Sequence, residues 1–243
     1  MKRVAQTARP LRIVITAGPT REPIDPVRYL SNYSTGYMGA QLAAAARAQG
    51  HRVTVVYGPG VELLPPGVVA VPVNEAREME RALRQHARRA DVVIMAAAVA
   101  DFRPKRAATA KLPRRGRLTL RLEAVPDIVA KLPRRSGQLV IGFALEHESV
   151  VARARRKLRE KRLDLLLAQQ MNGSGAPFGR RAVQAWLLAR DGSSRALGRA
   201  SKARIARVLL DKIEALWYGQ THRAIRRDRW RTAGARAWNK KSA

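Results

Sequence analysis

The chain of 243 residues contains no cysteine, which excludes disulfides, thiolate metal sites and a cysteine nucleophile and favours a reducing compartment. Its 48 Lys and Arg against 18 Asp and Glu give a formal net charge of +30, which attracts nucleotides, phosphorylated metabolites and nucleic acid. The longest apolar run, residues 92–100, is too short to span a bilayer and no signal peptide is recognisable, so we expect a cytoplasmic protein.

Apolar, strand-like runs alternate along the chain with helical ones. Seven runs are predicted as strands: RIVITA, RVTVVYG, VVAVPV, DVVIMAAAVA, LTLRLE, QLVIGFALE and LDLLLA. The predicted helices are residues 36–49 with Ser34 or Thr35 as N-cap, 74–90 with Asn74 as N-cap, a short one from Asp127, 149–162 and 201–219. A hairpin turning at Asp191-Gly192 precedes the last helix. This order predicts an α/β fold: a Rossmann-like, doubly wound, mostly parallel sheet with a small antiparallel addition.

The chain divides into two parts by composition. We expect residues 1–219 to form one domain, because the predicted elements run through it without a linker. Residues 220–243 are polar and basic, with Trp230 and Trp238 among arginines, and we expect a disordered tail.

An overlong loop follows the first predicted strand. Roughly twenty residues rich in Pro, Arg, Asp, Ser and Asn, from Gly18 to Gly39, precede the first helix, whereas a βα connection normally needs about two to six. Ligands of open α/β sheets bind at the carboxyl ends of strands, where this loop and the small residues Ala96 to Ala98 both lie. Neither segment carries the dinucleotide glycine fingerprint or a P-loop, so the sequence predicts a ligand site of another kind.

Several segments together resemble one enzyme family. They are ITAGPTREPIDPVRYLSNYSTGYMG, AAAVADFRPK with Lys111 seven residues after Pro104, PDIV, IGFALE and KLREKRLD. In order and spacing, over roughly residues 11–216, they resemble the bacterial phosphopantothenate–cysteine ligase, the second half of the usual bifunctional coenzyme A biosynthesis protein. Because the first strand begins within a dozen residues of Met1, the resemblance implies a stand-alone ligase domain over residues 1–219, without the flavin-dependent decarboxylase half.

The resemblance implies a two-step ligation. The carboxylate of 4'-phosphopantothenate attacks the α-phosphate of CTP and gives an acyl-cytidylate and pyrophosphate. The amine of L-cysteine then attacks the acyl carbon and releases CMP. The resemblance also implies a homodimer and a Mg²⁺ ion that arrives with CTP. The four histidines show no metal-binding spacing, so we expect no metal site made by the protein itself.

The resemblance assigns catalytic roles to Asn32, Arg28 and Lys111. An amide can donate to the oxygens of an acyl phosphate, a guanidinium can hold a carboxylate or phosphate at two points, and an ammonium group can neutralise the triphosphate or the leaving group. Their ordinary alternatives are a turn asparagine, an arginine paired with Asp25 and a mobile surface lysine.

The remaining site residues also follow from the family motifs. Substrate-binding positions fall on Gly18, Asn32, Ala97 and Ala98. Nucleotide-binding positions fall on Asp101, Lys111, Pro126, Asp127, Ile128, Val129, Phe143, Lys157 and Lys161. The ordinary alternatives are a turn residue for Asp101, core packing for Phe143 and a solvated basic face for the two helical lysines.

The sequence departs from the family motifs in places. Tyr37 stands where the family has a lysine at a helix start, and Pro113 and Arg114 stand where it has further lysines. Gln169 replaces an asparagine. These departures leave room for weakened or altered activity.

Two other functions stay open from the sequence alone. The net charge and the tail favour a nucleic-acid-binding protein, although no nucleic-acid-binding motif accompanies them. A nicotinamide-dependent oxidoreductase would share the sheet topology, but the glycine fingerprint and the acidic residue after the second strand are missing.

Overall fold

A computed structural model describes residues 9–60, 63–114, 116–171 and 178–219. The strands are β1 (Arg12–Ala17), β2 (Arg21–Pro23), β3 (Tyr29–Ser31), β4 (Arg52–Tyr57), β5 (Val69–Pro72), β6 (Val92–Met95), β7 (Phe102–Pro104), β8 (Leu122–Ala124), β9 (Leu139–Glu146), β10 (Leu165–Gln170), β11 (Val183–Ala189) and β12 (Ser194–Ala200). The helices are α1 (Tyr37–Ala48), α2 (Ala76–Ala87), α3 (Val150–Glu160) and α4 (residues 202–219). Residues 220–243, the predicted tail, lie outside the described residues.

The main sheet has eight strands in the order β12-β11-β10-β9-β6-β1-β4-β5. The six strands from β10 to β5 are parallel, and the hairpin of β11 and β12 continues the sheet in antiparallel pairing. From β1 the chain winds outward to β5 and then returns to β6 on the other side of β1. The predicted doubly wound sheet with a small antiparallel addition is therefore confirmed, and its order reverses between β1 and β6.

Helices cover both faces of this sheet because its central strands are apolar on both sides. Ile13 and Ile15 of β1 pack in a cluster with α1 and α4, whereas Val14 between them packs with α2 and α3 on the other face. Each fully buried side chain of this kind stabilises the fold by about 1.5–3 kcal/mol. The result is a three-layer arrangement whose carboxyl edge holds the connections predicted to bind ligand.

Two helix starts differ from the sequence prediction. The N-cap of α1 is Gly36, not Ser34 or Thr35, with its backbone in the left-handed region at φ 70°. The N-cap of α2 is Glu75 rather than Asn74, since the Glu75 and Glu78 side chains form a reciprocal capping box.

Two predicted elements are wrong. The segment after Asp127 is a hydrogen-bonded turn and not a helix, because the Asp127 carboxylate accepts from the N–H groups of Val129 and Ala130 and closes the turn on itself. Of the predicted strand LTLRLE only its end is extended, and β8 pairs with β7 in a separate two-stranded sheet. None of the helices among the described residues is long and apolar enough to cross a bilayer.

A buried histidine links α4 to the start of β1. His51 is 2% exposed, the Leu11 N–H donates to its Nδ1 at 3.4 Å, and its Nε2 lies 3.0 Å from Glu214 Oε1. The neutral ring therefore carries its proton on Nε2. Burial lowers the pKa of His51, although the Glu214 carboxylate opposes this shift.

We predict that acid destabilises the protein through His51. Because the pKa of His51 is lower in the folded protein, its contribution to stability is complete above the unfolded value of about 6.5 and is lost as the pH falls. The loss reaches at most about 1.4 kcal/mol per pH unit. Urea unfolding at several pH values between 5.5 and 7.5 measures it. His51→Gln should flatten this dependence, and the exposed His147→Gln should leave it unchanged; equal slopes in all three proteins would contradict the assignment.

Candidate active site

The reversal of strand order opens a crevice between the carboxyl ends of β1 and β6. Two hydrogen bonds join the connection after β6 to the end of β1. The Ala97 N–H donates to Thr16 Oγ1 at 3.2 Å, and the Ala98 N–H donates to the carbonyl of Gly18, the residue that follows β1, at 2.9 Å. Gly18 adopts φ 77°, a left-handed conformation that glycine accepts without strain. Gly18, Ala97 and Ala98, predicted to bind substrate, therefore lie together.

Asn32 spans this crevice from the long loop. Its side-chain Nδ2 donates to the carbonyls of Ala98 at 3.1 Å and Val99 at 3.0 Å, and the residue is exposed. Both amide hydrogens are thus engaged with backbone, and Oδ1 is the atom left to accept. Donation from Asn32 to an acyl phosphate, as the sequence predicts, requires the amide to exchange one of these carbonyls for the ligand.

The N-terminus of α1 opens beside the same crevice. Gly36 makes no side-chain cap, and the first turn holds no acidic residue. An added Cβ on Gly39 would lie 2.4 Å from the Ala17 Cβ, so glycine lets this turn approach β1 closely. The Gly36 and Tyr37 N–H groups make long bonds to neighbouring hydroxyls, to Ser34 Oγ at 3.3 Å and to Thr35 Oγ1 at 3.4 Å. A helix start of this kind, without an acidic residue in its first turn, is a suitable anion-binding element.

A cavity of about 180 Å³ connects these features. It is lined by the start of α1, the small residues after β6, β9 with the predicted Phe143, Gln169 of β10, the loop after β10 and the start of α4. The lining residues that sequence reasoning did not assign include Phe178, Gly179 and Lys202. Lys202 is 5% exposed and begins α4. The sequence did hold a signal for Lys202, because lysine is scarce among the 48 basic residues and each lysine therefore stands out.

Arg28 lies in a second cluster. The Asp25 carboxylate, whose side chain is fully buried, accepts from the Arg28 guanidinium, and Arg28 also donates to the Leu112 carbonyl at 2.8 Å. The Leu112 N–H in turn donates to Asp25 Oδ2 at 3.1 Å. The guanidinium hydrogen bonds from Arg28, together with backbone N–H donors, hold the pKa of Asp25 far below its usual range despite burial. Arg28 is therefore paired with Asp25, and the pair anchors the segment that carries Lys111, which is itself exposed.

The lysines of α3 are held by carboxylates. Lys157 Nζ lies 2.6 Å from Oε1 of the buried Glu146, and Lys161 Nζ lies 3.1 Å from Asp127 Oδ2. Burial raises the pKa of Asp127, but backbone N–H donors and Lys161 outweigh it and lower the pKa overall. Glu146 ends β9, which places Lys157 near the carboxyl edge of the sheet.

The predicted nucleotide-binding residues 126–129, between β8 and β9, differ in their exposure. Pro126 and Asp127 are exposed, Ile128 is 5% exposed and packs in the core under α3, and Val129 is half-buried beside it. Asp101 is exposed, and its carbonyl accepts from the Val125 N–H at 2.9 Å.

The sheet separates two sets of predicted nucleotide-binding residues. Phe143 packs on the face covered by α1 and α4, whereas Lys157 of α3 and Lys161, the C-cap residue of α3, belong to the opposite face. Within the described ranges no hydrogen bond or ion pair joins these lysines to Asn32. A ligand that touches both sets has to cross the carboxyl edge at β9, so the convergence of these residues on one ligand stays a prediction.

Comparison with known proteins gives one family. Residues 9–216 match the family described as the DNA/pantothenate metabolism flavoprotein C-terminal domain. A cysteine/cysteine sulfinic acid decarboxylase from an unknown prokaryotic organism is 38% identical over 218 residues, which cover 86% of this chain and 60% of that protein. The coenzyme A biosynthesis bifunctional protein CoaBC of Bacillus subtilis (strain 168) is 40% identical over 217 residues, which cover 87% and 53%. The chain thus spans little more than half the length of these curated relatives.

A solved structure matches over a larger share of its own length. The crystal structure of the C-terminal domain of CoaBC superposes with a TM-score of 0.75 at 36% identity, covering 88% of this chain and 100% of that one.

We predict that Asp25→Asn releases the segment around Lys111. The substitution removes the charge that holds both Arg28 and the Leu112 N–H, so amide hydrogen exchange over residues 105–114 should accelerate and the urea midpoint should fall. The matched control is Asp127→Asn, an exposed carboxylate whose pair with Lys161 is worth at most about 1 kcal/mol. Unchanged exchange over residues 105–114 in Asp25→Asn would show that the pair does not anchor this segment.

Proposed function

The chain belongs to the family of the DNA/pantothenate metabolism flavoprotein C-terminal domain, and on this basis we propose that it is a phosphopantothenate–cysteine ligase of coenzyme A biosynthesis. The match to the C-terminal domain of CoaBC over its whole length supports this proposal. The observation that carries it is the crevice between β1 and β6, which Asn32 spans and onto which the start of α1 opens.

The proposed reaction has two steps. A carboxylate oxygen of 4'-phosphopantothenate attacks the α-phosphorus of CTP, and the bond to the leaving pyrophosphate breaks. The amine nitrogen of L-cysteine then attacks the acyl carbon, the bond to CMP breaks, and the nitrogen loses a proton as the amide forms. The chain has no cysteine of its own, so the only thiol present belongs to the substrate.

The start of α1 holds the phosphate of the substrate. Its N–H groups, with the hydroxyls of Ser34 and Thr35, line the 180 Å³ cavity. The family lysine is replaced by Tyr37 here, but the guanidinium carbon of Arg180 lies 5.5 Å from the centre of the Tyr37 ring. A cation is therefore still present beside this helix start, which supports anion binding there.

Asn32 and the anchored loop act on the reacting groups. Asn32 positions the connection after β6 and can exchange a backbone carbonyl for an acyl-phosphate oxygen, a neutral donor worth about 10²–10³ in rate when placed in this way. Arg28, through Asp25 and Leu112, fixes the segment from which Lys111 reaches the triphosphate or the leaving pyrophosphate.

The nucleotide crosses the carboxyl edge of the sheet at β9 and contacts residues of both faces. Lys157 and Lys161 exchange part of their contact with Glu146 and Asp127 for phosphate oxygens, while Phe143 packs beside the base. Mg²⁺ takes its ligands from the triphosphate and water, as is usual for this ion. The carboxylates of Asp25, Asp127 and Glu146 are already paired with Arg28, Lys161 and Lys157. This pairing is consistent with a Mg²⁺ ion that takes its ligands from the triphosphate and water.

Other activities are less well supported. The decarboxylation named for the prokaryotic relative is not carried over, because this chain spans only 60% of that protein. A nicotinamide-dependent oxidoreductase has no supporting residue, since β4 ends at Tyr57 and Gly58 rather than at an acid. An added Cβ on Gly58 would lie 1.7 Å from the Pro19 carbonyl oxygen, so the long loop itself occupies that position.

We predict that Asn32→Ala and Lys111→Ala each cripple ligation, by about 10²-fold or more, while leaving the fold intact. The measurement is pyrophosphate release with phosphopantothenate plus CTP or ATP, with and without cysteine, alongside circular dichroism. Asn74→Ala and Lys212→Ala remove the same groups away from the crevice and serve as controls. Normal turnover in either site variant would refute the roles assigned here, and absence of nucleotide-dependent pyrophosphate release in the unaltered protein would refute the ligase.

A homodimer is proposed through the face formed by the two small hairpins. Val27 and Tyr29 beside β3 and Phe102 of β7 are 61%, 47% and 56% exposed, and β2 packs against β7. A grouped exposed apolar surface of this kind is typical of a protein–protein interface.

We predict that Phe102→Asp shifts the protein from dimer to monomer in sedimentation equilibrium, because it places a charge in the apolar contact. Leu63→Asp changes a residue that is 98% exposed outside both hairpins and should leave the mass unchanged. A monomeric unaltered protein, or a dimer that tolerates Phe102→Asp, would contradict this interface.

A further inference from the structure

A large concavity of the described surface lies at the opposite edge of the sheet from the crevice. A cavity of about 1000 Å³ is bounded by the amino ends of β1 and β4, the carboxyl ends of α1 and α2 and the loop before β5. Because β1 runs from this edge to the crevice over six residues, the two sites are separated by roughly 16 Å along the strand. We call this cavity the amino-edge groove.

Cations dominate the lining of the amino-edge groove. Seven arginines and one histidine line it, and its lining contains no aspartate, glutamate, phenylalanine, tyrosine or tryptophan. The arginines are Arg12, Arg47, Arg52, Arg81, Arg84, Arg88 and Arg89.

Most of these arginines form no ion pair with a carboxylate of the described residues. Arg12 pairs with Asp91 at 3.1 Å, and Arg84 lies 3.7 Å from Glu80. Within the part of the chain that the structure describes, no carboxylate forms an ion pair with the other four exposed arginines, which are Arg52, Arg81, Arg88 and Arg89. Several like charges facing one concavity repel one another, and a bound anion would reverse that cost.

Arg47 adds a second sign of an anion site. Its Nε is buried and has no hydrogen-bond partner among the described residues, while its Nη1 donates to the His51 carbonyl at 2.9 Å. An added Cβ on Gly67 would lie 2.8 Å from Arg47 Nη2. Glycine at this position therefore leaves room for a guanidinium that has an unused donor.

The negative carboxyl ends of the helices explain only part of this cluster. Arg47, Arg84 and His86 lie in last turns, where cations stabilise a helix by about 0.3–1 kcal/mol. Arg52 begins a strand and Arg81 lies in the middle of α2, so helix dipoles do not account for them. Positions 81, 84 and 88 repeat at the spacing of one helix face, which directs three guanidinium groups to the same side.

We propose that the amino-edge groove binds a compact polyphosphate anion, at a site distinct from the ligase crevice. Its volume is that of a small-molecule site, and guanidinium groups hold phosphate oxygens at two points. Nucleic acid is the less favoured ligand, because the lining offers no aromatic side chain on which a base could stack.

The test is titration calorimetry with inorganic tripolyphosphate at low and at physiological salt. The variant Arg52→Gln/Arg81→Gln/Arg88→Gln should weaken binding at the groove by about tenfold or more. The matched control, Arg199→Gln/Arg204→Gln/Arg207→Gln, removes the same charge from exposed positions on β12 and α4 and should bind as the unaltered protein does. The Lys157→Gln variant shows how much of the tripolyphosphate binding occurs at the ligase crevice. The groove variant should retain that part of the binding.

The outcomes separate the proposal from its alternatives. Loss confined to the groove variant, with pyrophosphate release unchanged, supports the site whether or not the ligase assignment holds. Equal weakening in both triple variants would overturn it, since only the overall charge would then matter. Groove-dependent binding of a single-stranded oligonucleotide without binding of tripolyphosphate would also overturn it, in favour of a nucleic-acid surface.

Discussion

The pairing of two loops at the carboxyl edge is the constraint on which the candidate site depends. The chain leaves the paired strands β1 and β6 in opposite directions, so the loops that follow them would diverge if nothing joined them. The Ala98 N–H donates to the Gly18 carbonyl, and the N–H groups of Ala97 and Ala100 donate to the side-chain hydroxyls of Thr16 and Thr20. Asn32 then adds two bonds from the far end of the long loop. The start of the long loop thus contacts this connection directly through Gly18 and Thr20, and the rest of the loop returns to it through the side chain of Asn32.

Charge is organised locally in this protein, although its net value is extreme. Two buried carboxylates each accept several hydrogen bonds. Asp91 accepts from Arg9 and Arg12, and although burial raises its pKa, these bonds bring it down to about 2. Asp25 likewise accepts hydrogen bonds from the Arg28 guanidinium and from the Leu112 N–H. The few acids thus fix particular arginines, whereas exposed arginines such as Arg52, Arg81 and Arg88, which form no ion pair among the described residues, create a positive surface. The amino-edge groove is a concave part of that positive surface.

The fold and the family could be predicted from the sequence because their signals are local. Apolar periodicity gave the strand and helix order, and motifs in register gave the family. Boundaries failed where a short polar contact decided them. The capping box between Glu75 and Glu78 makes Glu75, and not the predicted Asn74, the N-cap of α2. The Asp127 carboxylate closes a turn where apolar spacing alone predicts a helix. Each of these boundaries depends on one or two side-chain hydrogen bonds to the backbone, and hydrophobic periodicity carries no information about such bonds.

The amino-acid sequence by itself determined the α/β class, the long loop and the residue types that a ligase of this family requires. Only the tertiary structure decided what those residues contact. Arg28 meets Leu112 across 84 positions of sequence, and Phe143 and Lys157 lie on opposite faces although both follow from neighbouring motifs. The groove arginines come from β1, α1, β4 and α2, which no sequence window contains together. Long-range packing of the sheet sets these neighbours, because strand order is fixed by the whole winding of the chain rather than by any one segment.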